Sequence, residues 1–552
     1  MPDIVTPTSN QAAVEKSVAD RKEGVAENFL RDFSTVMRKV GSDTSQGPAK
    51  AEAGKQSAES AQESEGGSSK SSKDASAPKT ENAVPKFDPD KPLPSQSVLT
   101  EQTDAVLTAL GKLPALKLIT DNALLEDTEK AHFQYFVDHS DAKTGLTKDR
   151  SSADSPASVA AVGFSLSSYP IAIERGWISR EQGVDYTFKV LRTLWNAPQG
   201  DSAEGTSGYK GFFYHFLDGE KATRAWKCEL STVDTALLMS GVLFSKNYFN
   251  GDTKEESEIR DLADKLYRRV DWTWAMNADH RVSMGWHPES GFINFDWRGY
   301  NEAMIMLVMG IGSPTHPLPV DSWQKFTDTE IVNNYGGQKY IDFRPQFGHQ
   351  YSHAWIDFRG IKDDVNRSLG FDYFENSSRA TRAQNFYALQ EKAKGLKDPF
   401  ENRAYDKYDW GWTACDGPGA KYDRKHGNKV LNFYDYMARG APDWIDDGTI
   451  APTAAIASMP FAPDLVMPTL YHWRLSRPEL WSSHGFKDAF NPIADPSKPS
   501  GWVATDTLGI DQGPIVLMLE NYRSGMVWNT MKKDPYINDG LKKAGFKGGW
   551  LK

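Results

Sequence analysis

Residues 303–309, AMIMLVM, are apolar on every side of a helix, so any fold of this chain must bury a helix all round. The residue just before that run is Glu302. A carboxylate at a buried position is either paired with a cation or kept protonated, because desolvation disfavours the anion. The loop that leads in, GWHPESGFINFDWRGYN from Gly285, is dense in Trp, Gly and acids.

The same grammar recurs. Glu229 and Asp234 stand at the entry to the apolar run of CELSTVDTALLMSG, and Asp446 and Asp447 precede GTIAPTAAIASM. Asp511 of IDQGPIVLMLENYRSG comes before Gly513 and Pro514, ahead of the run 515–519. Helix N-termini attract acids through their free amides and macrodipole, and capping alone accounts for any one of these residues. It does not account for the neighbouring Trp286, Trp297, Trp410, Trp412, Trp502, Tyr209, Phe212 and Tyr214. Aromatic faces beside carboxylates suit a sugar ring.

Apolar runs of helical length recur at 157–173, 183–194, 234–248, 259–274 and 375–394, with few strand-like alternations, so the chain after residue 100 reads as mainly helical. One exception is GFFYHFLDGEKATRAWKC, where alternating runs flank Asp218 and Gly219 as in a hairpin. Residues 1–96 are poor in aromatics and hold a Ser/Ala/Gly/Lys/Glu tract. They read as a disordered tail with one short amphipathic helix around Val25 to Met37. All 17 tryptophans fall later, and residues 97–552 form the simplest single catalytic domain.

The net charge of −10, with basic residues scattered among acids, argues against a nucleic-acid partner. No apolar run is long enough to span a bilayer, and the first 30 residues lack the hydrophobic core of a Sec signal. The expected location is cytoplasmic, or outside by a non-Sec route. Two cysteines, Cys228 and Cys415, make neither a disulfide framework nor a zinc cluster. Gly310-Ile311-Gly312 follows an apolar helix and runs into SPTHPLP, which does not fit dinucleotide binding.

FGHQYSHAWIDFRG spaces His349, His353 and Asp357 by four, one face of a helix. Metal binding, substrate contact and structural hydrogen bonding all fit that spacing. Gln350 stands where the zinc-protease pattern needs a Glu base. Asp357 and Arg359 are also placed to pair with each other.

Taken together, GLTKDR at 145, VGFSLSSYPIAIERGWISR at 162, GFFYHFLD at 211, ELSTVDTALL at 229, RVDWTWAM at 269, GWHPESGF at 285, FGHQYSHAWIDFRG at 347, SMPFAPD at 458 and IDQGPIVLMLENYR at 510 resemble the glycoamylase-like domain. That domain is typified by bacterial endo-β-1,2-glucanases of glycoside hydrolase family 144 and is similar to the transglycosylating domain of cyclic β-1,2-glucan synthases. The resemblance spans about residues 100–552. It implies a six-hairpin α/α toroid, a polysaccharide or oligosaccharide substrate, inverting hydrolysis of β-1,2-glucan, and no metal or organic cofactor. By motif it makes Glu302 the general acid and Asp511 the base, with Asp234 as substitute base or subsite contact.

Inverting hydrolysis needs one protonated carboxyl and one carboxylate that activates water. Glu302 is therefore expected to be held neutral by burial, and Asp511 to be an anion of ordinary or depressed pKa. Tyr209, Phe212, Trp286, Trp297 and Trp412 are candidates for stacking on sugars, with core packing as the alternative for each. Arg150, His349, His353, Glu229 and Asp447 are candidate polar contacts, and an Arg–carboxylate strut is the alternative for Arg150. Transglycosylation of the same polymer, or another β-glucan hydrolase or lyase activity on the same toroid, would use the same residues.

Overall fold

The computed structural model describes residues 121–394, 404–442 and 444–551. The predicted tail and its short helix lie outside these. The described chain is mainly helical, with a few small sheets of two or three strands.

Two kinds of helix alternate along the sequence. After α1 (Asp121–Asp138), α2 (Val159–Glu174) is buried at nearly every position, whereas α3 (Arg180–Asn196) buries one stripe through Val184, Val190, Leu191 and Leu194. The alternation repeats in α4 (Thr232–Tyr248), buried almost all round, and α5 (Lys254–Arg269), which buries Ile259, Ala263, Leu266 and Tyr267 beneath a charged face. The predicted run at 259–274 thus starts five residues earlier and stops at Arg269, where Val270 turns extended. Next comes α6 (Met304–Gly312), in which no side chain is more than 1% exposed. Each of its large apolar side chains contributes about 1.5–3 kcal/mol by burial. Further along are α7 (Tyr351–Trp355), α8 (Tyr373–Ala393), α9 (Pro452–Ile456), α10 (Pro463–Ser476), α11 (Gly509–Arg523) and α12 (Pro535–Lys543).

The fully buried helices pack on one another and the striped ones cover them. Thus α2 lies against α4 and α11, α4 against α6, and α9 against α11, while α3 packs on α5, α1 on α11 and α12 on α6. The last long buried helix therefore returns to the first. The α2–α4 crossing is close enough for backbones to touch: a Cβ on Gly163 would lie 2.3 Å from the Leu237 carbonyl oxygen, and one on Gly241 2.1 Å from that of Gly163. Glycine is required at both positions.

Buried helices are entered from strand residues. Ser158 pairs with Phe216 and caps α2, its hydroxyl accepting from the Ala161 amide; Ser231 pairs with Gly285 and caps α4 in the same way toward Asp234. Leu508, which opens α11, bridges to Arg150. Short sheets thus pin the loops at these N-termini. The predicted hairpin at Asp218–Gly219 is reduced to a single bridge, Leu217 to Arg224, because Phe216 and Leu217 take Ser158 and Ala157 as their partners. Alternation marks a strand but does not say which strand it pairs with. Cys228 and Cys415 are both buried free thiols, and among the described residues no helix is long and apolar enough to cross a membrane.

Candidate active site

The N-termini of α4, α6, α7 and α11 meet at a cavity of 110 Å³. Its wall includes Asp149, Arg150, His215, Glu229, Asp234, Trp297, Glu302, Tyr351 and Tyr436.

Glu302 sits one residue before the N-cap Ala303 of α6. Its backbone is fixed by Ser352, whose hydroxyl donates to the Glu302 carbonyl at 2.9 Å and accepts from the Ile305 amide at 3.1 Å. Its Oε2 is buried, and no protein donor reaches it. Burial, with a smaller contribution from the charge of Asp234, pushes the carboxyl up to about 8. Desolvation therefore outweighs the helix N-terminus, and Glu302 carries a proton at neutral pH.

On the same wall His215 stacks on Phe216 with ring centroids 4.0 Å apart. Its Nδ1 donates to Glu229 Oε1 at 2.8 Å, and its Nε2 lies 3.7 Å from Asp234 Oδ1. Burial disfavours its charge, but Asp234 and Glu229 outweigh burial and raise it to about 9, so the ring is an imidazolium at neutral pH. Burial would raise Glu229, yet the charge and hydrogen bond of His215 bring it below the usual range. Asp234 stays raised by burial even though His215 and a hydrogen bond from the Ser231 hydroxyl pull the other way.

A second set of acids surrounds Arg150. Its guanidinium reaches Asp149 Oδ2 at 3.3 Å, Asp416 Oδ2 at 3.1 Å and Asp506 Oδ2 at 3.8 Å. Asp488 accepts from the Asp416 amide at 2.7 Å and lies close enough to Asp511, in the first turn of α11, for each carboxyl to shift the other's protonation. Burial, then the charge of Asp488, lifts Asp511 well above the carboxylate range; burial and Asp416 raise Asp488 to about 7. Tyr351 lines the cavity, and burial, then the charges of Asp511, Tyr436, Glu302 and Asp234, raises its hydroxyl above the usual range. The cavity thus presents a neutral carboxylic acid and an imidazolium with its carboxylates, a combination suited to proton transfer, whereas Asp511 and Asp488 are buried and only their neighbours Leu508, Ile510, Asp149 and Arg150 reach its wall.

Residues 294–535 match the Glycoamylase family model. Over those residues the chain resembles the glycoamylase-like domain. It is 26% identical over 480 residues to the exo β-1,2-glucooligosaccharide sophorohydrolase (non-reducing end) of Parabacteroides distasonis, an alignment of 81% of this chain; the chain spans 60% of that protein's length. The endo-β-1,2-glucanase of Chitinophaga pinensis, solved with sophorotriose and glucose, superposes with a TM-score of 0.66 at 27% identity over 78% of this chain and 99% of that one. A Bacteroides uniformis structure that carries the name glucoamylase superposes at 0.68, with 29% identity over 78% and 99% of the two chains.

The cavity gathers Glu302, Asp234, Glu229, Arg150 and Trp297 from the sequence candidates, and Asp511 is not on its wall. Trp297 is fixed by its indole N–H donating to Thr232 Oγ1 at 2.9 Å. Tyr209 and Trp286 are half-buried and form an aromatic patch with Trp274 and the exposed Phe292. Other candidates are corrected to the core. Phe212 is fully buried against Trp272 and Trp274, and Trp412 is fully buried between Tyr387 and Tyr405. His349 bonds the Phe343 carbonyl through Nε2 at 2.9 Å and His353 pairs with Ser377 Oγ at 3.1 Å; burial lowers both rings to about 3, so they are neutral core groups. Asp357 is taken by Arg359 and Lys532, and among the described residues no acid, His or Cys cluster could hold a metal. Asp447 makes two 2.8 Å bonds to the fully buried Arg439. Asp511 does not have the ordinary or depressed pKa expected of it, because burial, and then the charge of Asp488, raises it.

His215, Asp416, Asp488, Tyr351 and Tyr436 were not singled out by sequence. For His215 a signal existed: it is the one residue of a type that titrates near neutral pH in the aromatic run GFFYHFL. For Asp488 and Asp416 none did, since their roles come from distant parts of the chain meeting.

Proposed function

We propose that the protein hydrolyses β-1,2-glucan within the chain, releasing sophoro-oligosaccharides with inversion at the anomeric carbon. The observation that carries this reading is Glu302, a buried carboxyl held neutral in a largely apolar cavity that also presents Asp149, Arg150, His215, Glu229 and Asp234. Glu302 donates its proton to the departing glycosidic oxygen. Water attacks the anomeric carbon from the opposite side and gives its proton to Asp511. His215 holds Glu229 and Asp234 as a charged wall for sugar hydroxyls, and Trp297 with the patch of Tyr209 and Trp286 offers faces to sugar rings. The substrate class follows from the β-1,2-glucan enzymes that the chain resembles at 25–27% identity. The fold that fits is the six-hairpin α/α toroid, supported by the alternation of buried and striped helices and the return of α11 to α2.

Two observations favour alternatives. Asp234 lines the cavity and is the second candidate for the base. The Parabacteroides distasonis relative is named for release of sophorose from the non-reducing end, which favours cutting from chain ends. The test is incubation with linear β-1,2-glucan, following reducing ends, product size and anomeric configuration. Mixed short products, first formed as the α-anomer, are expected. Sophorose alone means exo cleavage, rings or redistributed lengths mean transglycosylation, an unsaturated product means a lyase, and an untouched polymer sinks the substrate assignment. Asp511→Asn should abolish turnover with oligosaccharide binding intact, whereas normal turnover would move the base role to Asp234.

A further inference from the structure

Asp488 lies between two short strands, Gly485–Phe486 and Phe490–Asn491, and is held through its backbone by the Asp506 carbonyl at 3.1 Å. One of its carboxylate oxygens accepts from the Asp416 amide; the other, Oδ1, is buried and no protein donor reaches it. Asp511 Oδ2 is in the same condition, and the two carboxyl groups are close enough for each to shift the other's protonation. Two ionised carboxylates are acceptors only, so both orphan oxygens stay unsatisfied unless a proton lies between them. One shared proton satisfies both and leaves the pair with a single negative charge.

We propose that Asp488 is a positioning residue for the reaction, sharing one proton with Asp511 so that the pair, with its single negative charge, acts as the base. The inference rests on the hydrolase reading above. In the step, the oxygen of water bonds to the anomeric carbon as the glycosidic C–O bond breaks. The proton of Glu302 goes to the leaving oxygen, and the proton of water goes to the pair, which becomes neutral. Solvent then returns one proton from the pair to Glu302. The groups that face the pair are Asp149, Arg150, Asp416, Tyr351, Tyr436 and Cys415. Arg150 favours the anion, and the neighbouring acids oppose a second charge.

The experiment is the pH profile of kcat on β-1,2-glucan for wild type, Asp488→Asn and Asp511→Asn. The Asn amide would donate to Asp511 and carry no charge, so Asp511 ionises more readily. The acidic limb should therefore move at least one pH unit lower, with a reduced plateau and an unchanged KM. An acidic limb that stays in place, with Asp511→Asn inactive, overturns the role of Asp488 alone. An active Asp511→Asn overturns both this inference and the base assignment. Should Asp488→Asn fail to fold, infrared spectra of wild type and Asp511→Asn decide: the inference requires a protonated-carboxyl band at neutral pH that Asp511→Asn lacks, and identical spectra overturn it.

Discussion

Replacing Glu302 by Gln should stop catalysis and, at neutral pH, stabilise the protein. Free glutamate titrates at 4.5, and the folded carboxyl at about 8. Between these values the unfolded chain gives up a proton that the folded chain keeps, so the wild type loses stability as pH rises through this window. The stabilising contribution of this carboxyl is fully present below 4.5 and lost as pH rises through 8. Gln does not titrate, so the difference between the proteins starts near zero at pH 4.5. By pH 7 it spans about 2.5 pH units at 1.36 kcal/mol each, or about 3 kcal/mol in favour of the variant. Unfolding ~430 residues carries an entropy of about 0.9 kcal/mol/K, so the Tm of Glu302→Gln should be about 3–4 °C higher at pH 7. The assay is thermal and denaturant unfolding of both proteins from pH 4.5 to 8.5, alongside turnover, which should fall about 10²–10⁴-fold. Equal pH slopes for the two proteins, or a Glu302→Gln protein less stable at pH 7, would refute the reasoning that burial holds this carboxyl neutral.

Wild-type turnover should be bell-shaped and narrow: it falls above about pH 8 as Glu302 loses its proton and below about pH 7 as Asp488 gains one, and a flat profile from 5 to 9 contradicts both assignments. Arg439→Met strands Asp447 in the core and should cost about 3–5 kcal/mol in denaturant unfolding, part of which Arg439→Met/Asp447→Leu recovers. Gly241→Ala forces α2 and α4 apart and should cost about 3 kcal/mol, which denaturation midpoints would register. His349→Ala should lower stability by about 2 kcal/mol or more while leaving KM unchanged; a raised KM would return this histidine to the substrate site.

Much of the architecture is legible in the residues. Runs such as AMIMLVM and VDTALLMSG are apolar at every helical angle, which forces burial on all sides, and the striped sequences between them supply the covering layer. The acids at the mouths of these runs were equally visible, and Glu302, Asp234 and Glu229 do reach one cavity. Aromatics were less readable. Trp297 and Trp412 both follow Gly-rich or acid-rich loop sequence, yet one lines the cavity and the other is sealed behind Tyr387 and Tyr405. A Trp side chain is large enough to serve either place, and only its neighbours decide which. The histidines at 349 and 353 share this ambiguity, since spacing of four fixes a helical face but not whether that face meets solvent.

By itself, then, the sequence determined which segments must be helices, which of those must be central, and where carboxylates stand along them. These are local properties, set by side-chain hydrophobicity and the 3.6-residue period. The charge states were decided by the tertiary structure alone. Glu302 is neutral because desolvation beats the helix terminus, His215 is cationic because Asp234 and Glu229 converge on it, and Asp511 is lifted by burial and then by the charge of Asp488, which comes from 23 residues away in the chain. A pKa is a sum over distances and solvent access, and neither exists until the chain has folded.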